Sequence, residues 1–444
     1  MFWTFERKLL GAAMLGWASI AVMNLVAGPP LGHDEAAFAN LARGGLDTWL
    51  YRSRGTARLA ELGVAIGGAD WQMRLASAVA GLGLILAVFA VGRAVFGAGT
   101  GAWAAAVIAG AHPMVVRNTD LLGDLPAAAA VVLGMAVLAG ELSRSDGPRW
   151  RVVLAAPAFA AAFYLRYGSA PVIAIAGLAA LGLWWRSIAT RPWPIVATVA
   201  AFAALMVPHG VHSLQVTGTV LGVLRLSSGV PRRDYVGEGL VTYLTSNPFV
   251  YYGALVAPLM IAAFGGLGRT LRSRAAWFLA IVALGQLIAI GLHSHAQPRY
   301  VFVAVALLVV LGVETLSAIA RPRLALAAVG AAWLGVALAT VHHDREIARS
   351  RDTILAAAAA IVADRRGAPC IVIAGKVPQL MWYTRCDGEL IDKAGPEVLA
   401  PWRARYLVST PYTPLDGLAF AAAHGLTVFE LPTGNIRARV WVVR

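Results

Sequence analysis

Charged residues are scarce in this chain, and this scarcity limits what the protein can be. Only 14% of its 444 residues are Asp, Glu, Lys or Arg, whereas soluble domains usually contain about a quarter. Hydrophobic residues make up 59%, so the composition excludes an ordinary soluble domain and predicts a polytopic membrane protein. The formal net charge of +14 does not indicate nucleic-acid binding, because the arginines lie in short clusters between apolar segments.

Apolar segments long enough to cross a bilayer recur along the sequence. A transmembrane helix needs about 20 residues, and the hydropathy pattern predicts about eleven such helices. The fifth and sixth are short and are separated at Arg166, so a tilted or broken helix is expected there. The predicted spans lie near residues 10–27, 74–95, 101–116, 124–140, 152–165, 170–185, 194–212, 248–267, 275–292, 299–319 and 323–341.

Basic residues between these segments predict their orientation, because Lys and Arg are enriched in cytoplasmic loops. Alternate connections of this chain, and its N-terminus, carry Arg7, Lys8, Arg93, Arg144, Arg149, Arg151, Arg186, Arg191, Arg269, Arg272, Arg274, Arg321 and Arg323. We therefore expect a cytoplasmic N-terminus and, with an odd number of spans, an extracytoplasmic location for the residues after His342. The first apolar segment is long and Gly28-Pro29-Pro30 is a poor cleavage site, so a cleavable signal is not predicted.

Two adjacent carboxylates, Asp34 and Glu35, follow the first apolar segment. Ionisable groups at the end of a membrane span are usually functional, because a charge without a role there would cost free energy. The alternative is a solvated loop that leads into a helix with acidic residues in its first turn. Position favours the first interpretation, and both acids are predicted to lie on the outer side of the membrane.

A third acid, Asp124, is expected at the outer end of the fourth span, where Leu125-Pro126 suits the first turn of a helix. Since both acidic segments lie on the same predicted face of the membrane, we expect them to contribute to one site. The local alternatives are that Asp124 is the N-cap of that span, and that Asp120 forms an ion pair with Arg117.

Arginines also occur in the loops that are assigned to the outer side, where they are normally depleted. Arg58 lies in the first outer loop, Arg232 in the loop of residues 213–247, and Arg299 in the turn that ends at Tyr300. Such residues predict an anionic ligand at the outer face, for example a lipid-linked phosphate. The alternative is that these loops tolerate arginine without a specific role.

The order of these motifs resembles that of the C-type (GT-C) membrane glycosyltransferases, near the protein O-mannosyltransferase and lipid A aminoarabinose transferase families. The resemblance covers about residues 10–320 and implies their helical membrane fold. It rests on Asp34-Glu35, Gly68-Ala69-Asp70-Trp71-Gln72-Met73-Arg74-Leu75-Ala76-Ser77-Ala78, Val91-Gly92-Arg93-Ala94-Val95-Phe96-Gly97, His112-Pro113, Asp124-Leu125-Pro126 and Pro298-Arg299-Tyr300. One departure is that the first outer loop has no lysine to bind phosphate, so an arginine must take that role.

The resemblance implies transfer of a sugar from a polyprenyl-phosphate carrier to an acceptor hydroxyl at the outer face, with inversion at the anomeric carbon. An attacking hydroxyl loses its proton, so a carboxylate must lie within hydrogen-bond reach. Asp34 is the candidate base. Glu35 and Asp124 are expected to orient Asp34, the acceptor or an arginine. The acceptor class, whether lipid, glycan or protein, is not indicated.

The leaving group is already a phosphate, so it needs electrostatic stabilisation more than an acid. Arg117 and Arg299 are the first candidates for this role, with Arg58 and Arg232 as further ones. His33 and Tyr300 are candidate substrate contacts. A divalent cation between Asp34 and Asp124 is an option that no ligand spacing requires. Histidines at 293, 295, 342 and 343 are either a metal site or, as the pattern favours, solvated interfacial side chains.

Two other functional classes use similar features. A transporter or flippase of lipid-linked sugars also has basic cavities and interfacial helices, and inverted repeats with paired broken helices would favour it. We detect no convincing internal repeat in the sequence. A non-catalytic membrane scaffold with an extracytoplasmic sensor is the third class, and it predicts that the acids are dispensable.

The sequence predicts two domains, a transmembrane domain of residues 1–341 and an extracytoplasmic α/β domain of residues 342–444. Within the first, the outer loop of residues 28–73 contains two amphipathic stretches, Glu35–Leu41 and Thr56–Ile66, suited to interfacial helices. The tail is predicted to form helices at Ile354–Asp364, Pro378–Thr384 and Leu415–His424, and strands at Cys370–Ala374, Arg405–Ser409, Leu426–Leu431 and Ile436–Val443.

The only two cysteines, Cys370 and Cys386, both lie in this tail. If the segments that they begin are parallel neighbours in a right-handed βαβ-like unit, their starting ends lie side by side. A disulfide is then expected, in a compartment that permits oxidation. The alternative is two free or buried thiols.

Overall fold

The computed structural model describes residues 4–44, 52–228, 234–317, 321–394, 396–411 and 414–443, so the candidate Arg232 lies outside the described residues. Most of these residues are helical. The α-helices are α1 Phe5–Ala27, α2 His33–Ala42, α3 Arg54–Ala65, α4 Asp70–Val95, α5 Ala98–Ala109, α6 His112–Val115, α7 Asp124–Leu142, α8 Ala155–Leu165, α9 Ala170–Thr190, α10 Trp193–Thr217, α11 Gly222–Ser228, α12 Glu238–Thr245, α13 Pro248–Tyr251, α14 Val256–Gly265, α15 Leu267–Thr270, α16 Arg274–His293, α17 Phe302–Ser317, α18 Pro322–Arg365, α19 Pro378–Thr384, α20 Pro396–Leu399 and α21 Gly417–Ala423. The 3₁₀ helices are Trp150–Leu154, Tyr167–Ser169, Pro298–Val301 and Ile391–Lys393, and the strands are β1 Cys370–Ala374, β2 Asp387–Leu390, β3 Ala404–Ser409, β4 Val428–Leu431 and β5 Arg439–Val443.

The protein is a multi-pass helical membrane protein with a small sheet near its C-terminus. Eight described helices are long and apolar enough to cross a membrane. Three shorter apolar helices, Ala98–Ala109, Trp150–Leu165 and Val256–Gly265, occupy the third, fifth and eighth predicted spans. Each of the eleven predicted segments therefore falls on an apolar helix, while a count of eleven complete spans stays a prediction.

The chain forms two compact units. The first comprises residues 1–25, 50–59 and 74–341, and the second comprises residues 26–49, 60–73 and 342–444. One boundary of this division lies between residues 341 and 342, while the two predicted domains stay a prediction. The second unit, however, also contains two pieces of the predicted outer loop, including the segment that carries Asp34 and Glu35.

The core of the first unit is built around α17. Its residues from Phe302 to Val313 are all buried, and it packs against α14, α16, α5 and α7. A Cβ atom at Gly312 would overlap the backbone of Leu259, so α14 and α17 approach closely at this glycine. Close approach at small residues is how helices gain packing energy in lipid, where apolar burial alone favours no partner.

The second unit contains a five-stranded sheet in the order β2-β1-β3-β5-β4. Strands β2, β1 and β3 are parallel, and β5 runs antiparallel to both β3 and β4. Alternate residues of the strands face opposite sides of the sheet. One side packs on α18 and α19, and the other packs on α20 and α21. The tail is thus an α/β domain, with its strands and short helices close to their predicted positions.

Helix α18 differs from the prediction, because it continues for 44 residues from the last apolar span to Arg365. The sequence predicted a span that ends at residue 341 and a separate helix from Ile354. The intervening polar segment from His342 to Asp352 has neither glycine nor proline, so nothing in it interrupts the helix.

A disulfide joins Cys370 and Cys386, whose Cα atoms lie 4.8 Å apart and 16 positions apart in sequence. Strands β1 and β2 are parallel neighbours, and Ile371 is in register with Asp387, so the two cysteines lie at adjacent strand starts. Closing a loop of this size contributes about 3 kcal/mol in the chain-entropy account.

Peptide mapping under non-reducing conditions should therefore yield one peptide pair that contains both cysteines. Alkylation of both thiols without prior reduction would show that the bond is absent from the purified protein.

Candidate active site

The acidic pair lies at the start of α2, in the second unit. Helix α2 begins directly after Gly32, whose backbone N–H donates to Oε2 of Glu35 at 2.7 Å. The side chain of Glu35 is buried, with 4% of its surface exposed, and its Oε2 lies 4.0 Å from Nη1 of Arg351. Asp34 is half-buried. Successive residues of a helix point about 100° apart, so the two carboxylates have different surroundings.

These surroundings separate the roles of the two acids. A carboxylate that accepts the N-cap N–H and faces a guanidinium orients the start of the helix. This geometry favours a positioning role for Glu35 and a substrate-facing role for the more exposed Asp34. This division agrees with the roles that the sequence predicts for them, which stay predictions.

The chain that leads into α2 is held by hydrogen bonds from three other segments of the second unit. The N–H of Leu31 donates to Oη of Tyr383 at 2.7 Å and to Oδ2 of Asp70 at 3.3 Å. The carbonyl oxygen of Leu31 accepts from Nε2 of Gln379 at 2.8 Å, and that of Pro30 accepts from Arg351. The hydroxyl of Tyr383 itself donates to Oδ2 of Asp70 at 2.6 Å.

Helix α2 also packs along α19. Nδ2 of Asn40 donates to the carbonyl oxygen of Pro378 at 2.8 Å, and the guanidinium of Arg43 lies 3.0 Å from the ring centre of Trp382. Burial and the charge of Arg385 lower the pKa of Arg43 to about 9, and Asp70 acts in the opposite direction. The arginine therefore stays charged at neutral pH.

Six consecutive residues of α2, from Glu35 to Asn40, are buried. The helix thus contacts protein on all sides over this stretch, which differs from the interfacial helix expected from its amphipathic pattern.

Asp124 lies at the start of α7, in the first unit. The N-cap of α7 is Gly123, so the alternative that Asp124 is the N-cap is wrong. Its buried carboxylate instead pairs with Arg166. A Cβ atom at Gly123 would overlap the carbonyl oxygen of Leu165, which also accepts from Oγ1 of Thr56 at 2.7 Å. Glycine therefore lets α7 begin against the end of α8, where Arg166 leaves the helix in an extended conformation.

Arg166 and Arg299 flank Tyr300, and with Asp124 these residues form the Asp124 cluster. The guanidinium carbons of Arg166 and Arg299 lie 4.8 Å and 5.5 Å from the Tyr300 ring centre. Nε of Arg299 donates to Oε1 of Gln297 at 2.7 Å. Two cations beside one aromatic ring are a suitable arrangement for a phosphate group.

The residues flanking this cluster help to fix its backbone. The hydroxyl of Tyr243 donates to the carbonyl oxygen of Gln297 at 3.3 Å. Burial raises the pKa of Tyr243 well above its usual range, so this hydroxyl keeps its proton and remains a donor. Nε2 of Gln286 donates to the carbonyl oxygen of Tyr300 at 3.0 Å.

The remaining candidates are placed as follows. Arg117 forms the local ion pair with Asp120, with 3.1 Å between Nη1 and Oδ2, so that alternative is confirmed. Arg58 is exposed on α3, and His33 lines a cavity of the second unit. Asp34 and Asp124 belong to different units, and their predicted convergence stays a prediction.

No group of three or more His, Cys, Asp or Glu side chains is arranged to hold a metal ion within the described ranges. His342 pairs with Glu346 one turn later on α18, at 3.2 Å. A cation shared by Asp34 and Asp124 stays a prediction.

Several residues of these clusters were missed from the sequence. The sequence pattern identifies Arg166 only as the break between two short spans. An arginine between two apolar spans is itself a sign of a functional residue. Arg351 and Tyr383 lie more than 300 residues after Asp34, and their pairing with residues 30–35 has no local pattern. Lys376 lies two residues after the buried strand β1, which ends at Ala374, and the carboxyl end of a strand is the usual place of a ligand contact in α/β sheets.

Comparisons with known proteins bear on the fold. Residues 55–212 match the family described as dolichyl-phosphate-mannose-protein mannosyltransferase. ArnT from Cupriavidus metallidurans, solved in the apo state and bound to undecaprenyl phosphate, superposes with a TM-score of 0.74 at 15% identity, over 98% of this chain and 97% of that chain. Comparison with the curated proteins by sequence finds no match.

Two further glycosyltransferase structures share the fold. The archaeal oligosaccharyltransferase AglB from Archaeoglobus fulgidus, in complex with an inhibitory peptide and a dolichol-phosphate, gives a TM-score of 0.63 at 12% identity, over 91% of this chain and 69% of that one. The arabinofuranosyltransferase AftD from Mycobacteria gives a TM-score of 0.55 at 14% identity, over 98% of this chain and 40% of that chain. The predicted resemblance is confirmed at the level of the fold: this chain has the fold of these membrane glycosyltransferase structures, and its residues 55–212 match the mannosyltransferase family model.

Proposed function

We propose that this protein transfers a sugar, a hexose or pentose, from a polyprenyl-phosphate-linked donor to an acceptor hydroxyl at the outer face of the bacterial cytoplasmic membrane. The observation that carries the proposal is the start of α2, where a buried Glu35 fixes the helix and leaves Asp34 half-buried. The ArnT structure with bound undecaprenyl phosphate supports a carrier of this class.

In the proposed reaction Asp34 accepts the proton of the acceptor hydroxyl as its oxygen attacks the anomeric carbon. The bond from that carbon to the phosphate oxygen breaks on the opposite face, which inverts the configuration. The phosphate leaves with the bonding electrons, and the polyprenyl phosphate is the second product. Stabilising the charge that develops on it lowers the barrier, and this is the role we assign to the outer-face arginines.

The Asp124 cluster supplies the best-supported arginine, Arg299, beside Arg166. Asp124 pairs with Arg166 and would keep that guanidinium beside Tyr300. In this role Asp124 is a positioning residue and does not exchange protons with the substrate. Arg117 is a weaker candidate, because Asp120 already neutralises it.

Replacing Arg299 or Arg117 with alanine should weaken the binding of polyprenyl phosphate more than the binding of acceptor, because charge-assisted contacts to phosphate are stronger than neutral ones. The effect should be larger for Arg299→Ala, because Arg299 lies with Arg166 beside the Tyr300 ring, whereas Asp120 already pairs with Arg117. Titration of each purified variant with a short polyprenyl phosphate measures this. Unchanged carrier affinity in both variants would return these arginines to structural roles.

The proposed location also predicts a topology. The arginine distribution favours a cytoplasmic N-terminus and an extracytoplasmic C-terminus. An alkaline phosphatase fusion at the C-terminus should be active and a green fluorescent protein fusion at the same position dark. The reverse pattern would overturn the span count and the side assigned to every loop.

Mass spectrometry of a strain that lacks this protein tests the function as a whole. We expect a polyprenyl-phosphate sugar to accumulate and one sugar to disappear from the envelope glycans. Wild-type protein should restore both, and the Asp34→Asn variant neither. Unchanged lipid-linked sugars and unchanged envelope glycans in the deletion strain would contradict the proposal.

A further inference from the structure

A cleft of about 190 Å³ opens in the second unit at one edge of the sheet. It is lined by His33, Ser350, Arg351, Ile354, Ala374, Lys376, Gln379, Leu380 and Thr410. Ala374 ends β1 and Thr410 directly follows β3, and these strands are parallel neighbours. The carboxyl ends of both strands therefore meet at this cleft, which is where open α/β sheets bind ligands.

The lining of this cleft, which we call the Lys376 cleft, is mixed, and its charged groups are basic. Two cations, Arg351 and Lys376, and the imidazole of His33 belong to it, and none of its nine lining residues is acidic. Gln379 and Thr410 are buried, with 4% and 6% of their surfaces exposed, and they add polar groups to the wall. Such a lining suits an oxyanion, a phosphate or a carboxylate.

Arg351 is held in place independently of any ligand. Its guanidinium donates to the carbonyl oxygen of Pro30 and lies 4.0 Å from the carboxylate of Glu35. Gln379 bonds the next carbonyl oxygen, that of Leu31, at 2.8 Å. The wall of the cleft is therefore built by the same contacts that hold the chain before α2, so a ligand would enter a site that is largely preformed.

The cleft lies beside the proposed base, because His33 of its wall directly precedes Asp34. Its apolar side chains are Ile354, Ala374 and Leu380, and they share a small cleft with the polar and charged groups of the wall. A polyprenyl chain needs an extended apolar surface, whereas a water-soluble anionic group fits this lining.

We propose that the Lys376 cleft is an oxyanion site that holds a phosphate or carboxylate group of the acceptor. The acceptor would then be an anionic lipid or glycan, whose reacting hydroxyl is presented to Asp34. The binding of an oxyanion stands on the cleft alone, and its assignment to the acceptor rests on the proposed function.

Inorganic phosphate is the probe for this site, titrated into the purified full-length protein with farnesyl phosphate present at saturation to occupy the carrier site. Binding is followed by ³¹P line broadening, which needs no catalysis. We expect Lys376→Gln to weaken phosphate binding about tenfold or more. Lys376→Arg should restore binding, and Lys393→Gln, at an exposed lysine of the same unit, should leave it unchanged.

Two results would overturn the proposal. The first is an equal affinity for inorganic phosphate in wild type and in Lys376→Gln. The melting temperatures of Lys376→Gln and Lys376→Arg, which should equal that of wild type, show that both variants are folded. The second is a loss of farnesyl phosphate affinity in Lys376→Gln as large as the loss of inorganic phosphate affinity, because the cleft would then belong to the carrier. A protein that binds phosphate through Lys376 but transfers no sugar would refute the proposed function and leave the oxyanion site standing.

Discussion

Replacing Asp34 with asparagine should lower the rate of sugar transfer by about 10²–10⁴-fold, the usual contribution of a general base. The amide keeps the shape of the side chain but cannot accept the proton of the attacking hydroxyl. Folding should be preserved, because asparagine has nearly the same size and shape as aspartate, and Glu35 and the chain at Pro30 and Leu31 keep their contacts at the start of α2. Turnover of the purified variant, with donor and acceptor at saturation, measures the loss.

The matched control for this variant is Asp392→Asn, which removes one exposed carboxylate from the same unit. It should turn over at the wild-type rate and melt at the wild-type temperature. Near-wild-type turnover in Asp34→Asn would exclude the base that we assign and would favour the scaffold or transporter alternatives, in which the acids have no chemical role.

Replacing Asp70 with alanine should lower turnover by about 10²-fold, although Asp70 itself is not expected to touch a substrate. Its carboxylate accepts from the Tyr383 hydroxyl, the Leu31 N–H and Nε1 of Trp382, at 2.6 Å, 3.3 Å and 3.3 Å. Truncation leaves these donors without that partner, at a cost of about 1–3 kcal/mol for each one that water cannot reach. The chain that carries Asp34 would shift, and a displacement of about 1 Å can cost 10²-fold in rate.

Asp70→Asn should recover much of the lost rate, because its amide oxygen can still accept from Tyr383. The loss in Asp70→Ala should appear mainly in kcat, with the KM for the donor little changed, because the displaced group acts in the chemical step. The rescue by Asp70→Asn distinguishes this displacement from a general loss of folded protein. Tyr383→Phe should lie between wild type and Asp70→Ala. Equal activity of Asp70→Ala and wild type would remove the positioning role.

Local sequence patterns predicted the elements of this fold well. Hydropathy is a local property, so each of the eleven predicted segments overlaps an apolar helix, although the count of eleven complete spans stays a prediction. The buried strand at Cys370–Ala374 and the helix at Pro378–Thr384 were predicted at the observed bounds, because β-branched residues and a proline at the first helical position mark them. The predicted disulfide follows from the same local pattern, because a strand, a helix and a second strand place Cys370 and Cys386 at the starts of neighbouring strands.

The contacts of the candidate site could not be predicted in the same way, because they join distant segments. Nothing near Asp34 in the sequence indicates that Tyr383 and Arg351 hold the preceding chain. The amphipathic pattern of α2 predicts an interfacial helix, because the pattern carries no information about the distant helix α19 that packs against it. Asp124 could not be assigned to Arg166 from sequence, since that pairing depends on Gly123 bringing two helix ends together. Arg117, by contrast, has its partner three residues away, and that pairing was foreseen.

The fate of the donor's sugar–phosphate bond tests the central claim most directly. The polyprenyl-phosphate sugar that accumulates in the deletion strain is placed in vesicles with purified protein and an envelope lipid fraction as acceptor, and its products are followed by mass spectrometry. We predict that wild-type protein converts the donor to free polyprenyl phosphate and a glycosylated acceptor, and that Asp34→Asn leaves the donor intact. Movement of the donor across the bilayer with its sugar–phosphate bond unbroken, equal in both proteins, would identify a flippase and contradict the account.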